Sequence, residues 1–150
     1  MNGRPDIGGV NTSAAGILEP MSEAQTVYDA VGGDQFFHTL AERFYEGVAT
    51  DPPLLALYPN PQDLTDATVH LAQFLIQYWG GPMTYSEQRG HPRLRMRHHP
   101  FVIGQAERDA WVRHMSAALD RAEGLDPQID TRMREYFAMA ADHLINAPGA

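Results

Sequence analysis

Four segments of the chain carry mostly apolar residues at the three- and four-residue spacing of an amphipathic α-helix, and each set would form a stripe along one face of its helix. The positions of the four stripes are Phe37, Leu40, Ala41, Phe44 and Val48; Ala67, Leu71, Phe74, Leu75 and Tyr78; Trp111, His114, Met115, Ala118 and Ala122; and Ile129, Met133, Tyr136, Phe137, Ala140, Ala141 and Leu144. The sequence shows no credible strand pair, internal repeat or long heptad pattern. It therefore predicts an all-α fold with four main helices in two pairs.

Capping residues and helix breakers indicate where these helices begin and end. Asp34 follows two glycines and is the predicted N-cap of the first helix, which the Asp-Pro-Pro run at 51–53 ends. A Gly-Gly-Pro run at 80–82 ends the second. The stretch 80–104 is rich in Gly, Pro and Arg, and it can hold only a short helix, predicted between Pro92 and Pro100.

The length of 150 residues suits one domain. Residues 1–24 mix Gly, Pro, Ser and Asn without a sustained period, so we expect a flexible N-terminal extension before a domain over 25–150. No stretch approaches the roughly 18 consecutive apolar residues of a membrane span, and no basic region followed by an apolar run opens the chain. A cytoplasmic protein is the expectation.

Charge and residue usage exclude several classes of function. The formal net charge of −8 disfavours binding to nucleic acid or to an anionic membrane. Because the chain has no Cys, disulfides, thiolate metal sites and Cys nucleophiles are excluded. Phosphate-binding glycine loops, nucleophile elbows, HExxH and EF-hand loops are absent, which removes the usual support for hydrolase and nucleotide-binding functions.

One short segment of this acidic chain is strongly basic. Arg89, Arg93, Arg95 and Arg97 lie within nine positions of an otherwise acidic chain, directly before His98. A histidine bracketed by cations, with large aromatic residues on facing helices, suits a flat apolar cofactor that carries a metal and two carboxylates. Haem fits this description, because His can bind the iron and Arg can pair with the propionates. A solvated charged surface stays open as an alternative for the arginines, and a structural role stays open for the histidine.

Longer motifs resemble a known family. The run Tyr78–Pro82, the run Thr84–His98 and the Pro-Phe pair at 100–101 look like group II (O-type) truncated haemoglobins. Matching motifs extend the resemblance from about residue 27 to residue 147, and they are Tyr28–Gly33, Arg43–Tyr45, Leu57–Pro59 and Glu107–Trp111. The resemblance implies the truncated globin fold, a two-over-two helical sandwich with a very short first helix.

The same resemblance implies the site. His98 corresponds to the proximal metal ligand, and Tyr45, Tyr58 and Trp111 correspond to the polar distal residues that stabilise a bound ligand. Ala67 stands where longer globins often place a distal His, so hydrogen bonds to the ligand must come from the aromatic residues. The implied residues around haem b (iron protoporphyrin IX) are Leu71, Phe74, Leu75, Tyr85, Arg93, Met96, Arg97, His98, Phe101 and Trp111, with Arg93 and Arg97 as the preferred propionate partners.

The expected function is oxygen binding at a pentacoordinate haem iron with slow release, and NO, CO or sulfide are the other expected ligands. Tight binding favours redox chemistry with an unidentified reductant, such as nitric oxide dioxygenase-like or peroxidase-like detoxification. The alternatives are an oxygen-transport carrier, a gas sensor acting through a partner, and a helical interaction module without a cofactor. We expect no nucleic-acid or membrane partner, and whether the chain forms a homo-oligomer stays open.

Overall fold

The computed structural model describes residues 26–92 and 103–146, and within these ranges the chain forms helices and no strands. The helices are α1 (Val27–Ala30), α2 (Asp34–Val48), α3 (Pro52–Leu55), α4 (Thr65–Tyr78), α5 (Thr84–Arg89), α6 (Gln105–Asp120) and α7 (Pro127–Leu144). The all-α prediction is confirmed, and the predicted extension 1–24 lies outside the described residues. Among the helices of the described ranges, none combines the length and apolar character needed to cross a membrane.

Helix α2 is the centre of the packing. The five positions of its predicted stripe are all at most 2% exposed. It packs against both α4 and α6, and α6 also packs against α7, so the four long helices form the two predicted pairs. Since α2 touches a member of each pair, its apolar face holds the two pairs together.

The stripes of the other long helices divide into core positions and half-buried positions. Leu75 of α4, Met115 of α6 and Met133 of α7 are at most 1% exposed and belong to the core. The half-buried stripe positions of the three helices include Ala67, Leu71, Phe74, Trp111, Tyr136, Ala140 and Leu144. These residues line a cavity, which explains why apolar spacing on its own did not separate them from the core.

The start of α2 differs from the prediction by one residue. Gly33 is the N-cap, and its φ of 85° is a conformation that favours glycine. Asp34 is instead the first helical residue, and its carboxylate accepts a 2.6 Å hydrogen bond from the Tyr28 hydroxyl. Asp34 therefore ties α1 to α2 instead of capping the helix.

Helix α4 ends in a glycine turn that docks it on α1. The backbone N–H of Tyr28 donates to the carbonyl of Trp79 over 2.9 Å. A Cβ at Gly81 would lie 2.6 Å from the Tyr28 ring, so only glycine permits this approach without a shift. The contact fixes the end of α4, where Tyr78 is 48% exposed and Trp79 is 8% exposed.

Helix α5 is not predicted by the spacing of apolar residues. Gln77 of α4 holds it in place, because the side-chain amide donates to the Ser86 hydroxyl and accepts from the Ser86 backbone N–H, at 2.8 and 2.9 Å. Tyr85 is buried as a result. The short helix predicted between Pro92 and Pro100 falls on residues 93–102, which lie outside the described ranges.

Candidate functional site

A cavity of about 320 Å³ lies among α4, α6 and α7. Most of its wall is apolar, and the apolar residues include Leu54, Leu57, Ala67, Leu71, Phe74, Leu75, Ile103, Phe137, Ala140, Ala141 and Leu144. A concave apolar site with a few polar groups is the usual form of a small-molecule or cofactor site. The polar groups of this cavity are a cluster of aromatic hydrogen-bond donors and several basic and acidic residues.

The donor cluster consists of Tyr45, Tyr58 and Trp111, all three of which line the cavity. The hydroxyl of Tyr58 accepts hydrogen bonds from the hydroxyl of Tyr45 and from the indole N–H of Trp111. The rings of Tyr45 and Tyr58 pack edge to face with centroids 5.4 Å apart. A phenol that accepts two hydrogen bonds keeps its own O–H as a donor, so Tyr58 can donate to a ligand in the cavity.

Both phenols of this donor cluster are held in their neutral form. Burial raises the pKa of Tyr58 to about 12, although the hydrogen bonds from Tyr45 and Trp111 act in the opposite direction. Burial also raises the pKa of Tyr45 well above its usual value, and the neighbouring Tyr58 adds to the effect. At neutral pH the cluster therefore offers hydrogen-bond donors and no negative charge.

Three separate elements bring the cluster together. Tyr45 is on α2, Tyr58 follows α3, and Trp111 is on α6, where its ring packs against Phe44 with centroids 5.0 Å apart. A hydrogen bond links the last two elements, because His114 Nε2–H donates to the carboxylate of Asp51 over 2.8 Å. Asp51 is the N-cap of α3 and His114 lies one turn after Trp111, so this pair sets the position of Tyr58 relative to Trp111.

The basic and acidic residues of the cavity wall include some that the sequence prediction missed. Arg89 Nη1 donates to His70 Nε2 over 3.3 Å, and both residues line the cavity. Glu107 and Arg108 also line it, but Glu107 accepts from the backbone N–H of Gly104 and Arg108 pairs with Asp142 at 2.8 and 2.7 Å, respectively. His70 lies three residues after Ala67 on the same face of α4, and this spacing was the available signal for it.

All five of the described residues that were predicted to hold a cofactor line this cavity. They are Leu71, Phe74, Leu75, Tyr85 and Trp111. The other predicted site residues lie outside the described ranges, and they are Arg93, Met96, Arg97, His98 and Phe101. Ile103, the first described residue after them, lines the cavity, as does Tyr136, which was predicted only as part of a helix stripe.

Comparison with known proteins identifies the family. The family model of bacterial-like globins matches residues 26–146. The group 2 truncated haemoglobin YjbI of Bacillus subtilis is 40% identical over 119 residues, which is 79% of this chain and 87% of that protein. This chain belongs to the group II truncated haemoglobins. Membership in this family implies a haem cofactor and the binding of small gaseous ligands such as oxygen.

Solved structures of truncated haemoglobins confirm the two-over-two prediction. The thermostable haemoglobin of the actinobacterium Thermobifida fusca is 53% identical, with a TM-score of 0.78 over 81% of this chain and 98% of that chain. The truncated oxygen-avid haemoglobin of Bacillus subtilis is 38% identical, with a TM-score of 0.75 over 81% of this chain and all of that chain.

The cavity of this truncated haemoglobin fits a haem group. Its apolar walls suit the macrocycle, the donor cluster suits a polar ligand on the iron, and Arg89 offers a cation for a propionate. In residues 26–92 and 103–146, no group of three or more His, Asp or Glu could hold a bare metal ion. A porphyrin needs only one protein ligand for its iron, so the composition of these walls favours haem over a simple metal site.

The hydrogen bond between His114 and Asp51 behind the donor cluster yields a prediction on pH. The hydrogen bond from His114 lowers the pKa of Asp51, so the pair stabilises the fold above the ordinary Asp pKa of about 3.9, and the effect is lost as the pH falls through the lower folded pKa. Asp51→Asn should therefore lower the melting temperature at pH 7. The difference in melting temperature between Asp51→Asn and the original protein should shrink below a pH of about 4. Melting followed by circular dichroism at a series of pH values measures both.

Arg113 supplies the matched control, because it contacts the same carboxylate at 3.2 Å but is 65% exposed. Arg113→Gln should change the melting temperature little, since exposed ion pairs contribute little to stability. An Arg113→Gln effect as large as that of Asp51→Asn, or a difference for Asp51→Asn that does not vary with pH, would contradict the role given to His114.

Proposed function

We propose that this truncated haemoglobin binds haem b, with His98 as the proximal iron ligand, and holds oxygen tightly through Tyr45, Tyr58 and Trp111. When bound, haem supplies an iron that takes a diatomic ligand at its free coordination position. The observation that carries the proposal is the donor cluster, in which two donors converge on the Tyr58 hydroxyl at one side of an apolar cavity. The related Bacillus subtilis haemoglobin is described as oxygen-avid, which agrees with this proposal.

The chain around residues 93–102 supports His98 as the proximal ligand. Arg89 and Ile103 lie on either side of this segment along the chain, and both line the cavity. His98 is five residues before Ile103, and five residues span at most about 17 Å. The iron ligand would therefore reach the cavity from a segment that starts and ends beside it, and Met96 and Phe101 would add apolar contacts to the macrocycle.

Arg93 and Arg97 keep their predicted role as the preferred propionate partners in this proposal, and the contacts of Arg89, another arginine of the same group, favour it as a third. The Arg89 guanidinium is exposed, and its Cζ lies 5.7 Å from the centroid of the buried Tyr85 ring. The aromatic ring and the contact with His70 hold the guanidinium at the edge of the cavity. A planar guanidinium in this position can pair with a carboxylate in a bidentate geometry.

The strength of the donor cluster decides which kind of function it favours. Oxygen bound to ferrous haem carries partial negative charge, and a hydrogen bond to a charged group contributes about 1.5–3 kcal/mol. The one free O–H of the donor cluster, that of Tyr58, can make one such bond, which slows release by about 10- to 150-fold relative to an apolar cavity. Such slow release suits use of the ligand in place, as in nitric oxide or peroxide turnover with a reductant, better than delivery.

Trp111 tests the distal part of the proposal. Trp111→Phe keeps an aromatic ring in the cavity but removes one of the two hydrogen bonds that hold the Tyr58 hydroxyl. Oxygen release should therefore become faster by up to about 150-fold, which is the full contribution of a hydrogen bond from Tyr58. Stopped-flow dissociation of oxygen from the ferrous protein measures this rate. Trp79→Phe makes the same chemical change outside the cavity and should leave the rate unchanged. Equal rates for Trp111→Phe and the original protein would show that the indole N–H does not support the donor that holds the ligand.

His98 tests the proximal part. His98→Ala should abolish the optical spectrum of five-coordinate ferrous haem, because the iron loses its protein ligand. His99→Ala is the matched control next to it and should keep that spectrum. Retention of an unaltered spectrum in His98→Ala would move the iron ligand to another residue, and loss in both variants would assign the effect to the fold of the segment.

A further inference from the structure

The imidazole of His114, on α6, lies between the end of α2 and the start of α3. Its Nε2–H donates to the Asp51 carboxylate over 2.8 Å, and both side chains are only 15% exposed. At the other ring nitrogen, a Cβ added to Gly47 would lie 2.6 Å from Nδ1, which is too close for a real side chain. The imidazole therefore contacts α2 and α3 at once, in a space that only glycine at position 47 leaves open.

Two members of the donor cluster lie close to this imidazole along the chain. Tyr45 precedes Gly47 by two residues near the end of α2. Trp111 lies one turn before His114 on α6. The carbonyl of Gly47 also accepts hydrogen bonds from the backbone N–H and the hydroxyl of Thr50, at 3.0 and 2.7 Å, which fix the turn between α2 and α3. A displaced His114 ring would therefore change the distance between the two helices that carry these donors.

Tyr58, the third member of the donor cluster, is connected to the same imidazole through α3. The carbonyl of Asp51, the residue whose carboxylate accepts from His114, accepts from the backbone N–H of Leu55 over 2.8 Å. The carbonyl of Leu55 accepts from the backbone N–H of Tyr58 over 3.1 Å. Because this short stretch of chain is hydrogen-bonded throughout, a shift of Asp51 moves Tyr58 as well.

We propose that His114 is the positioning residue of the donor cluster. By holding α2, α3 and α6 together behind the cavity, it keeps the Tyr58 hydroxyl in place for the ligand, and it thereby sets both the rate of oxygen release and the preference for oxygen over carbon monoxide. This inference rests on the proposed binding of haem and oxygen. His114 does not line the cavity, so it acts only through the donor cluster.

The preference between the two gases follows from their charge. Oxygen bound to ferrous haem carries partial negative charge, whereas bound carbon monoxide carries much less. A hydrogen bond from Tyr58 therefore stabilises oxygen strongly and carbon monoxide weakly, and hydrogen bonds weaken steeply when they lose their alignment. A misplaced donor cluster should speed oxygen release and leave carbon monoxide release nearly unchanged. A general loosening of the fold would instead change both rates.

Two substitutions of His114 separate its hydrogen bond from the bulk of its ring. His114→Phe keeps a ring but cannot donate to Asp51, so oxygen release should become faster by up to about 150-fold, the full contribution of a hydrogen bond from Tyr58. His114→Gln keeps an amide nitrogen about where Nε2 lies and should recover most of the slow release. Arg113→Gln is the control, because Arg113 contacts the same carboxylate but is 65% exposed, and it should leave the rate unchanged.

Gly47→Ala tests the contact from the side of α2. Alanine is a better helix former than glycine, so the substitution favours α2 itself, but its methyl group displaces the His114 ring. Oxygen release should become faster as a result. Adding His114→Gln should reverse this effect, since glutamine has no atom in the place of Nδ1. The melting temperature of the haem-loaded protein should show the same compensation, as a penalty of Gly47→Ala that is smaller when His114→Gln is present.

The experiment measures oxygen and carbon monoxide dissociation by stopped flow, with the infrared C–O stretch of the carbon monoxide complex as a readout of donors near the ligand. Circular dichroism and the Soret band establish that each variant is folded and holds haem, and Tyr58→Phe is the reference for loss of the donor. The C–O stretch should shift in His114→Phe and Gly47→Ala in the direction of Tyr58→Phe, and it should return in Gly47→Ala combined with His114→Gln.

The outcomes separate this inference from the proposed function. If Tyr58→Phe speeds oxygen release and neither His114→Phe nor Gly47→Ala does, the role of His114 is overturned and the proposed function is intact. Equal acceleration of oxygen and carbon monoxide release in both variants would also overturn it, because that result assigns His114 to general stability. If Tyr58→Phe leaves oxygen release unchanged, the proposed distal donor and the role of His114 both fail.

Discussion

The hydroxyl of Tyr58 accepts hydrogen bonds from Tyr45 and Trp111, and the organisation of the site depends on this meeting point. The three residues come from α2, from the turn after α3 and from α6, so a shift of any one element changes the hydrogen bonds that join it to the other two. Burial keeps the phenols protonated, which makes the cluster a fixed set of donors facing an apolar space. Such preorganised donors act on a ligand without reorganising when it arrives.

The fold supports this cluster by dividing its apolar residues between two tasks. The stripe of α2 is buried completely and joins the two helix pairs. On α4, α6 and α7, one edge of each stripe enters that core and the other edge faces the cavity. The open side of these stripes leaves room for a cofactor, and in this family that cofactor is haem.

The sequence predicted the helical class and the core of α2 because burial on one face leaves a periodic pattern that is local in the chain. It misplaced the N-cap of α2 because Asp34 bonds the Tyr28 hydroxyl, a contact that no spacing rule reveals. Tyr136 and His70 were missed at the cavity for a similar reason, since spacing shows a helix face but not what the face meets. Tyr45, Tyr58 and Trp111 were predicted only through the family resemblance, because residues so far apart in the chain meet only in the folded protein.

The most direct test of this account is a double-mutant cycle on the two donors to Tyr58. Oxygen dissociation is measured for the original protein, for Tyr45→Phe, for Trp111→Phe and for the double variant. If both donors act by holding one hydroxyl, the second substitution should have less effect once the first is present. The fold-increase in the oxygen dissociation rate of the double variant should then be smaller than the product of the fold-increases of the two single variants. A fold-increase in the double variant that equals the product of the two single fold-increases would contradict the claim that both donors act through the Tyr58 hydroxyl.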